Sequence, residues 1–429
     1  MYLIFLILLI FILYLFLFTS YIKKDNTSLF CSLLIITWLY EWIFINLEYF
    51  LPSGLITLLK MYQEFLIAII FLVILVNTLK RGKATITKLD KLFFYYILLP
   101  LSISLVISIA NKNEYLISGI KSFITPIFFP YILFKAKLFE NINFSKVKDT
   151  FSLILIVTVL FAFYQSISFD GDLSKLWFYE FINQKGDVIE KGFYNYVKGE
   201  NLRATSFFVS AIDLTTISAL LSSFFLINFL RNKKISHLLL SLIGIIGVYY
   251  SRTRMGYAII GLDIVIYIFM KCKMKNSNLL YLVPFIAVFF TFYLISITGL
   301  SDLSSLSRLN QYTEFLYNFE IMGAGIGDYK SVFSFDSFYL CTLYAMGILG
   351  FSFFIFYFKI VNKNLKITFN NIKNNDSDSK NIFIIVNILT FIYVFAFHHI
   401  AGSIIQNLLF LLLFLQISEY SERKNIKND

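Results

Sequence analysis

Four arginines lie beside apolar segments of the sequence, where their charge needs an explanation. Arg252 and Arg254 stand in SRTRMG between two apolar runs, and Arg203 and Arg308 stand in NLRATSF and SLSRLNQY. A guanidinium group binds phosphate oxygens through a bidentate fork, so four such groups can converge on one multiply charged ligand. A diphosphate attached to a lipid fits this chemistry. Each arginine taken singly is also explained by contact with anionic lipid headgroups.

Aspartates are the candidates for a general base, because the three histidines of the chain lie outside the arginine-bearing loops. Asp336 in FDSFYL is the first choice, and Asp328 and Asp213 follow it. Each has a structural alternative. Asp336 and Asp213 stand where helices are predicted to begin and can act as N-caps. Asp328 can be a turn residue after Gly327.

A glycine-rich stretch lies between Arg308 and Asp336. In GAGIGDY, Gly323, Gly325 and Gly327 permit a tight backbone path with the amides turned to one side, and such a loop can hold an anion. We therefore assign the three glycines, together with Asp328 and Tyr329, to substrate binding. No strand of a parallel sheet precedes the glycines, so a dinucleotide site is not predicted.

The segments that must position these residues are apolar and long. The chain has 429 residues, of which 58% are hydrophobic and 15% charged, and its apolar blocks approach the length of about 20 residues that spans a bilayer. We predict an all-α integral membrane protein of 12 or 13 transmembrane helices, forming one polytopic domain over residues 1–429. The blocks cover residues 1–20, 28–46, 56–79, 92–110, 116–134, 149–168, 207–230, 236–250, 255–270, 279–298, 337–358, 381–397 and 400–417.

The net charge of +11 is distributed in a way that predicts topology. Most lysines and arginines fall in alternate loops, among them KRGKATITKLDK and RNKK, and the positive-inside rule places these loops in the cytoplasm. The N-terminus then lies outside and the C-terminus inside. Nucleic-acid binding is not expected. The cysteines and histidines show no metal-ligand spacing, so neither a metal site nor a cofactor is predicted.

Two loops on the predicted outer side are much longer than the others. Residues 169–206 mix acids, bases and aromatics, which favours short helices at the membrane surface, although a solvated loop explains them equally well. Within residues 299–336, apolar side chains recur at spacings of three and four over 308–319, which predicts an amphipathic helix. Arg203, Arg308 and the glycines lie in these two loops and are therefore predicted at the external face. The SRTR turn is predicted at the same face, because it joins the blocks 236–250 and 255–270 there.

Three segments carry a family resemblance through their order. SRTRMG, then SRLNQYTEFLYNFEIMGAGIGD, then FDSFYLCTLYAMGILGF resembles the Wzy-type polysaccharide polymerases and the related O-antigen ligases over about residues 200–360. The resemblance implies a metal-independent membrane glycosyltransferase that acts on undecaprenyl-diphosphate-linked oligosaccharides at the outer face of the bacterial inner membrane. It also implies a flippase and a chain-length regulator of the same pathway as partners.

The resemblance also implies roles for single residues. Arg203 matches the family arginine near the end of the first large loop, and Arg308 matches the arginine that opens the second. Arg252 or Arg254 matches the arginine of the SR turn, and both are expected to act on the reacting diphosphate.

One departure from the family pattern separates its branches. The ligase branch has a histidine in the second large loop, whereas this chain has no histidine between residues 237 and 398 and carries Asp336 at the comparable place. This difference favours a polymerase. A flippase or transporter, with charges inside its helices, and a non-enzymatic assembly partner remain alternatives.

Overall fold

A computed structural model describes most of the chain, and the part that it describes is mainly helical, which confirms the all-α class. It describes residues 2–52, positions within 54–72, 88–179, 196–198, 201–271, 303–333, 335, 337–356, and positions between 359 and 412.

The helices follow each other with short connections. In chain order they are α1 (Tyr2–Ile22), α2 (Asn26–Glu48), α3 (Lys88–Phe93), α4 (Leu99–Ala110), α5 (Leu116–Gly119), α6 (Thr125–Lys135), α7 (Phe144–Ser168), α8 (Ala211–Asn232), α9 (Ile235–Ser251), α10 (Arg254–Lys271), α11 (Leu303–Tyr317), α12 (Tyr329–Phe333) and α13 (Phe338–Met346). Single π-helical turns, Phe94–Leu98 and Ile120–Ile124, join α3 to α4 and α5 to α6. Helical residues resume after α13 up to 356.

Seven helical segments of the described part are long and apolar enough to cross a membrane. This finding supports an integral membrane protein. The segments are Phe5–Ile22, Asn26–Glu48, Leu89–Ala110, Leu116–Lys135, Phe144–Ser168, Ala211–Asn232 and Phe338–Phe356. The total of 12 or 13 stays a prediction, because the apolar blocks 56–79, 279–298, 381–397 and 400–417 lie largely or wholly outside the described residues.

The chain divides into two compact units that are interleaved in sequence. The first unit comprises Met1–Phe65, Lys137–Ile268 and Asp378–Val386, and the second comprises Leu66–Ala136, Phe269–Ser377 and Asn387–Asp429. Arg203 and the SRTR turn belong to the first unit, whereas the glycine-rich stretch belongs to the second.

Small residues bring α8 and α9 of the first unit close together. A Cβ atom on Gly244 would lie 2.6 Å from Cβ of Ser222, and one on Gly247 would lie 2.5 Å from the hydroxyl of Ser218. The Ser222 hydroxyl donates to the Ser241 carbonyl at 2.9 Å. Close approach of this kind, with hydroxyls bonding across the contact, is the usual way for helices to associate within a membrane.

The loops of the first unit form two polar ends. At one end the Asn26 side chain donates to the carbonyls of Lys137 and Glu140, at 3.2 and 2.9 Å. At the other end the amide of Ala204 donates to the carbonyl of Tyr250 at 3.0 Å. The loops that meet at each end are ones that the charge pattern places on the same side of the membrane. Which end faces the cytoplasm stays a prediction.

Helix α4 and the α13 segment run antiparallel in the second unit. The Ser104 hydroxyl donates to the Ala345 carbonyl at 2.8 Å, and the Ser352 hydroxyl donates to the Tyr96 carbonyl at 3.1 Å. The helix that begins at Phe338 is interrupted at Gly347, which has φ of 57°. Two carbonyls ahead of this break are left for partners outside the helix, and the glycine-rich stretch supplies them.

Candidate functional site

The SRTR turn is formed by a left-handed residue between two helices. Helix α9 ends at Ser251, Arg252 adopts φ of 52°, and α10 begins at Arg254. A positive φ is uncommon for residues other than glycine, although it is the usual way to end a helix. The Thr215 hydroxyl of α8 donates to the Ser251 hydroxyl, which ties the turn to the neighbouring helix. The turn is therefore held in a defined conformation.

Arg203 is bound to this turn. Its Nη2 atom donates to the Thr253 hydroxyl at 3.1 Å, and its Nε atom donates to the Ser251 carbonyl at 3.5 Å. Carbonyls at the end of a helix lack partners within the helix, and a cation beside them is favourable. Arg203 and Arg252 are half-buried, whereas Arg254 is exposed. Three of the four predicted arginines thus gather at one end of the first unit.

A short hairpin delivers Arg203 to the turn. Val197 pairs with Leu202 and Lys198 with Asn201, as two antiparallel strands of two residues each. The Arg203 amide then donates to the Tyr196 carbonyl at 2.7 Å. Of the short helices predicted in this loop, the described part contains a 3₁₀ turn at residues 173–175. Residues 180–195 lie outside the described residues.

The chain after Arg203 is buried although it is not helical. Ala204, Thr205 and Ser206 are almost fully buried, and Ser206 has φ of 58°. The Ser206 hydroxyl donates to the carbonyl of Thr158, ten residues before the end of α7, which is about 15 Å along that helix. Buried backbone that is not helical requires hydrogen-bond partners from elsewhere in the protein.

Side chains of the neighbouring helices supply those partners. The Gln165 carboxamide oxygen accepts from the amides of Thr205 and Ser206 at 3.2 and 2.7 Å, and its nitrogen donates to the Ser206 carbonyl at 3.2 Å. A Glu41 carboxylate oxygen accepts from the amide of Val209 at 2.7 Å. The sequence reasoning missed both residues. Their signal was a polar side chain inside each of two apolar blocks, which marks a functional or structural contact.

The first helix after this segment begins at a cap that was not predicted. The Ser210 side chain accepts from the Ile212 amide at 3.1 Å and caps α8. The alternative that Asp213 is the N-cap is therefore wrong, because Asp213 is the third residue of the helix, where it is 2% exposed. Its burial leaves it unavailable to a substrate at the surface of the unit.

The amides of the glycine-rich stretch are engaged within the second unit. Gly325 donates to the Ala345 carbonyl at 2.9 Å, and Gly327 donates to the Ser108 hydroxyl at 3.0 Å. Gly323 donates to the Glu320 carbonyl. The amides of all three glycines thus have acceptors in the protein. This arrangement does not support the prediction that they bind an anion.

The glycines serve close packing instead. Gly323 and Gly325 have φ of 79° and 96°, in the region that other residues rarely adopt. A Cβ atom on Gly325 would lie 2.3 Å from the Ser108 hydroxyl oxygen, and one on Gly327 would lie 2.7 Å from Cα of Leu116. The stretch therefore fills the space beside the interrupted helix α13 and satisfies its free carbonyls.

The residues after the glycines form a turn. A carboxylate oxygen of Asp328 accepts from the amide of Lys330 at 2.8 Å, in agreement with the turn alternative. Tyr329 is 56% exposed, and its ring lies 5.6 Å from that of Tyr115. Lys330 also pairs with Glu314 of α11 at 2.9 Å. Tyr329 is thus a substrate-binding candidate whose side chain lies at the surface of the second unit.

Two predicted residues of the second unit are described only in part or not at all. Helix α11 extends over Leu303–Tyr317, so the predicted amphipathic helix is present and includes Arg308, whose side chain is outside the described part. Asp336 also lies outside the described residues. The residue at the N-cap position of α13 is Ser337 rather than Asp336. The joint action of the four arginines stays a prediction.

Asp263 is an acidic residue in the middle of α10. Its side chain is 1% exposed, and within the described part of the chain neither carboxylate oxygen has a hydrogen-bond partner. Acidic residues inside membrane-spanning segments are costly and are often functional. The sequence predicts that α10 crosses the membrane, which would make Asp263 a candidate for a role inside it.

Similarity to known proteins does not assign this chain to a family. No family model matches it, and no curated protein is significantly similar to it. Its function is therefore inferred from the arginines at the SRTR turn, the buried segment beside them and the membrane-spanning helices.

Proposed function

We propose that the protein is a Wzy-type polysaccharide polymerase, a glycosyltransferase that joins undecaprenyl-diphosphate-linked oligosaccharide repeat units. The observation that carries this proposal is the Arg203 guanidinium bound to Thr253, between Arg252 and Arg254 in the chain. Three guanidiniums at one polar end of a bundle of apolar helices provide a site for an anion that is anchored in the membrane.

The proposed reaction transfers a polymer from its lipid carrier to a new repeat unit. A sugar hydroxyl of the acceptor attacks the anomeric carbon of the donor, and the bond from that carbon to the diphosphate oxygen breaks. The diphosphate leaves with the electron pair, and the hydroxyl proton passes to a base. Charge therefore builds on the leaving oxygen, and preorganised cationic donors stabilise it.

The surroundings of the three arginines distinguish their roles. Arg203 uses Nη2 and Nε to hold the turn, and Arg252 has the backbone conformation that forms it. Arg254 is the exposed member, at the first residue of α10. We therefore assign the contact with the leaving diphosphate to Arg254, and the shaping of its site to Arg203 and Arg252.

The general base and the role of the fourth arginine are proposed from the sequence alone. Asp336 is the proposed base, and Arg308 is proposed to contact the substrate. The glycine-rich stretch is no longer part of the proposed anion site, because its amides bond within the protein. Metal-independent chemistry through arginine is likewise proposed from the sequence and the resemblance.

The proposed location is the bacterial inner membrane, with the SRTR turn on the outer side. The positive-inside pattern supports this orientation. A flippase that delivers the repeat unit and a chain-length regulator are the proposed partners. The enzyme would then act after the flippase, because its arginines meet the diphosphate only on the outer side.

Two alternatives use the same lipid substrate. An O-antigen ligase would transfer the polymer to a lipid acceptor, but the family histidine of that branch is missing from the sequence. A flippase is favoured by one observation, the buried carboxylate of Asp263 in the middle of α10. A transporter usually needs several such groups along a path, which makes the flippase the second candidate.

Purified protein in liposomes, supplied with a lipid-linked repeat unit, tests these functions together. A ladder of products on a gel, also formed in EDTA, is the result expected of the polymerase. Transfer to an added lipid acceptor would identify a ligase, and movement across the bilayer without new bonds would identify a flippase. The absence of all three activities would overturn the proposal in favour of a non-enzymatic partner.

A further inference from the structure

Gln165 contacts the turn at Thr205 and Ser206 with both ends of its carboxamide. The oxygen accepts from two amides and the nitrogen donates to the Ser206 carbonyl. The side chain is 7% exposed. A carboxamide carries an acceptor and two donors in one plane, so it can complement a backbone turn that displays both. Gln165 thereby fixes the turn whose residue Ser206 has a left-handed conformation.

This turn is connected to Arg203 through a short and restrained piece of chain. Thr205 is two residues from Arg203, and the intervening Ala204 donates its amide to the Tyr250 carbonyl at 3.0 Å. The Arg203 side chain then reaches Thr253. A shift of the turn at Thr205 would therefore move the backbone of Arg203 relative to the SRTR turn.

We infer that Gln165 is a positioning residue, which sets Arg203 against the SRTR turn by holding the buried segment that follows it. Gln165 lies on α7 and makes no contact with a ligand in this role. The inference rests on the proposed function in one respect, because Arg203 would shape the site at which the diphosphate binds.

Hydrogen exchange of the purified protein measures, without any ligand, how firmly Gln165 holds the buried segment after Arg203. The variant Gln165→Leu keeps the approximate volume of the side chain and removes its hydrogen bonds, so the amides of residues 204–209 should exchange faster. Gln165→Glu retains the acceptor oxygen and should exchange at a rate between those of wild type and Gln165→Leu. The matched control is Ile167→Leu on the exposed face of α7, with exchange unchanged. Wild-type exchange in Gln165→Leu would overturn the inference.

A double-mutant cycle with farnesyl diphosphate, a soluble polyprenyl diphosphate, tests whether Gln165 acts through Arg203. Arg203→Ala and Gln165→Leu should each weaken binding about tenfold or more, and the double variant should be little weaker than Arg203→Ala. Full additivity, or unchanged binding in Gln165→Leu beside weakened binding in Arg203→Ala, would overturn the positioning role. If wild type does not bind farnesyl diphosphate, the proposed function fails, and hydrogen exchange still decides whether Gln165 holds the segment.

Discussion

Arg203 and Thr253 are joined by a hydrogen bond of 3.1 Å between the guanidinium Nη2 and the hydroxyl oxygen. The two residues lie 50 positions apart in the sequence. Their bond attaches the end of the first long loop to the tight turn between α9 and α10. The loop thereby brings its own arginine to a turn that carries two more, and the positive-inside rule disfavours such a group of arginines on the outer side, where this end is predicted to lie.

The first prediction concerns the bidentate contact of the Arg254 guanidinium with the diphosphate. Arg254→Lys keeps the charge and loses bidentate contact, so it should reduce polymer formation almost as much as Arg254→Ala, by on the order of 10²-fold. The matched control is Arg231→Lys near the C-terminal end of α8, which should leave polymer formation unchanged. Product ladders on a gel measure the effect, with equal amounts of protein in the membrane.

The same series includes lysine at the other three arginines. Four single variants distinguish binding of the lipid diphosphate from simple contact with headgroups. They are Arg203→Lys, Arg252→Lys, Arg308→Lys and Arg254→Lys. Headgroup contact requires charge alone, and lysine then suffices. Normal product ladders from all four variants would contradict the hypothesis that these arginines bind the lipid diphosphate.

Local patterns in the sequence predicted the helices and the position of the SRTR turn. Hydropathy over about 20 residues is a property of each segment by itself, and seven of the predicted spans are present in the described part of the chain. The amphipathic helix after Arg308 was predicted for the same reason, although it begins earlier, at Leu303. Elements of this kind depend on side chains that are neighbours in the sequence.

The features that the sequence did not predict depend on contacts between residues that are distant in the chain. Gln165 satisfies amides 40 and 41 residues away, and Ser108 accepts from Gly327 across 219 residues. The glycines were predicted to bind an anion because their pattern permits free amides, but acceptors from other helices occupy them. A single sequence does not show which acceptors a loop will meet.

A second prediction follows from the packing of Gly325. Gly325→Ala places a Cβ atom 2.3 Å from the Ser108 hydroxyl oxygen at φ of 96°, so it should destabilise the protein by about 2 kcal/mol or more. The matched control is Gly261→Ala in α10, where a Cβ atom meets nothing within 4 Å. Thermal unfolding in detergent compares the two variants. An equal melting temperature for Gly325→Ala and wild type would contradict the assigned packing role.

A third prediction concerns the buried carboxylate of Asp263. Asp263→Leu replaces a buried acid that has no hydrogen-bond partner in the described part of the chain, so the melting temperature should equal or exceed that of wild type. Polymer formation should persist, since Asp263 has no part in the proposed reaction. Asp263→Asn is the isosteric control. A stable Asp263→Leu protein that no longer forms polymer would instead show that this acid is needed for the reaction.

The last prediction tests on which side of the membrane the SRTR turn lies. Ser168 ends α7 beside the buried segment, and Asn232 ends α8 at the opposite end of the first unit, about 33 Å away along a helix of 22 residues. Both side chains are exposed, whereas the native Cys31 and Cys341 are buried, and the third cysteine, Cys272, lies outside the described residues. An impermeant maleimide added to intact cells should therefore label Ser168→Cys and not Asn232→Cys, with wild type as the blank. After the cells are opened, both variants should react. Labelling of Asn232→Cys alone in intact cells would place the arginines in the cytoplasm, where no polymerase of the proposed kind can work.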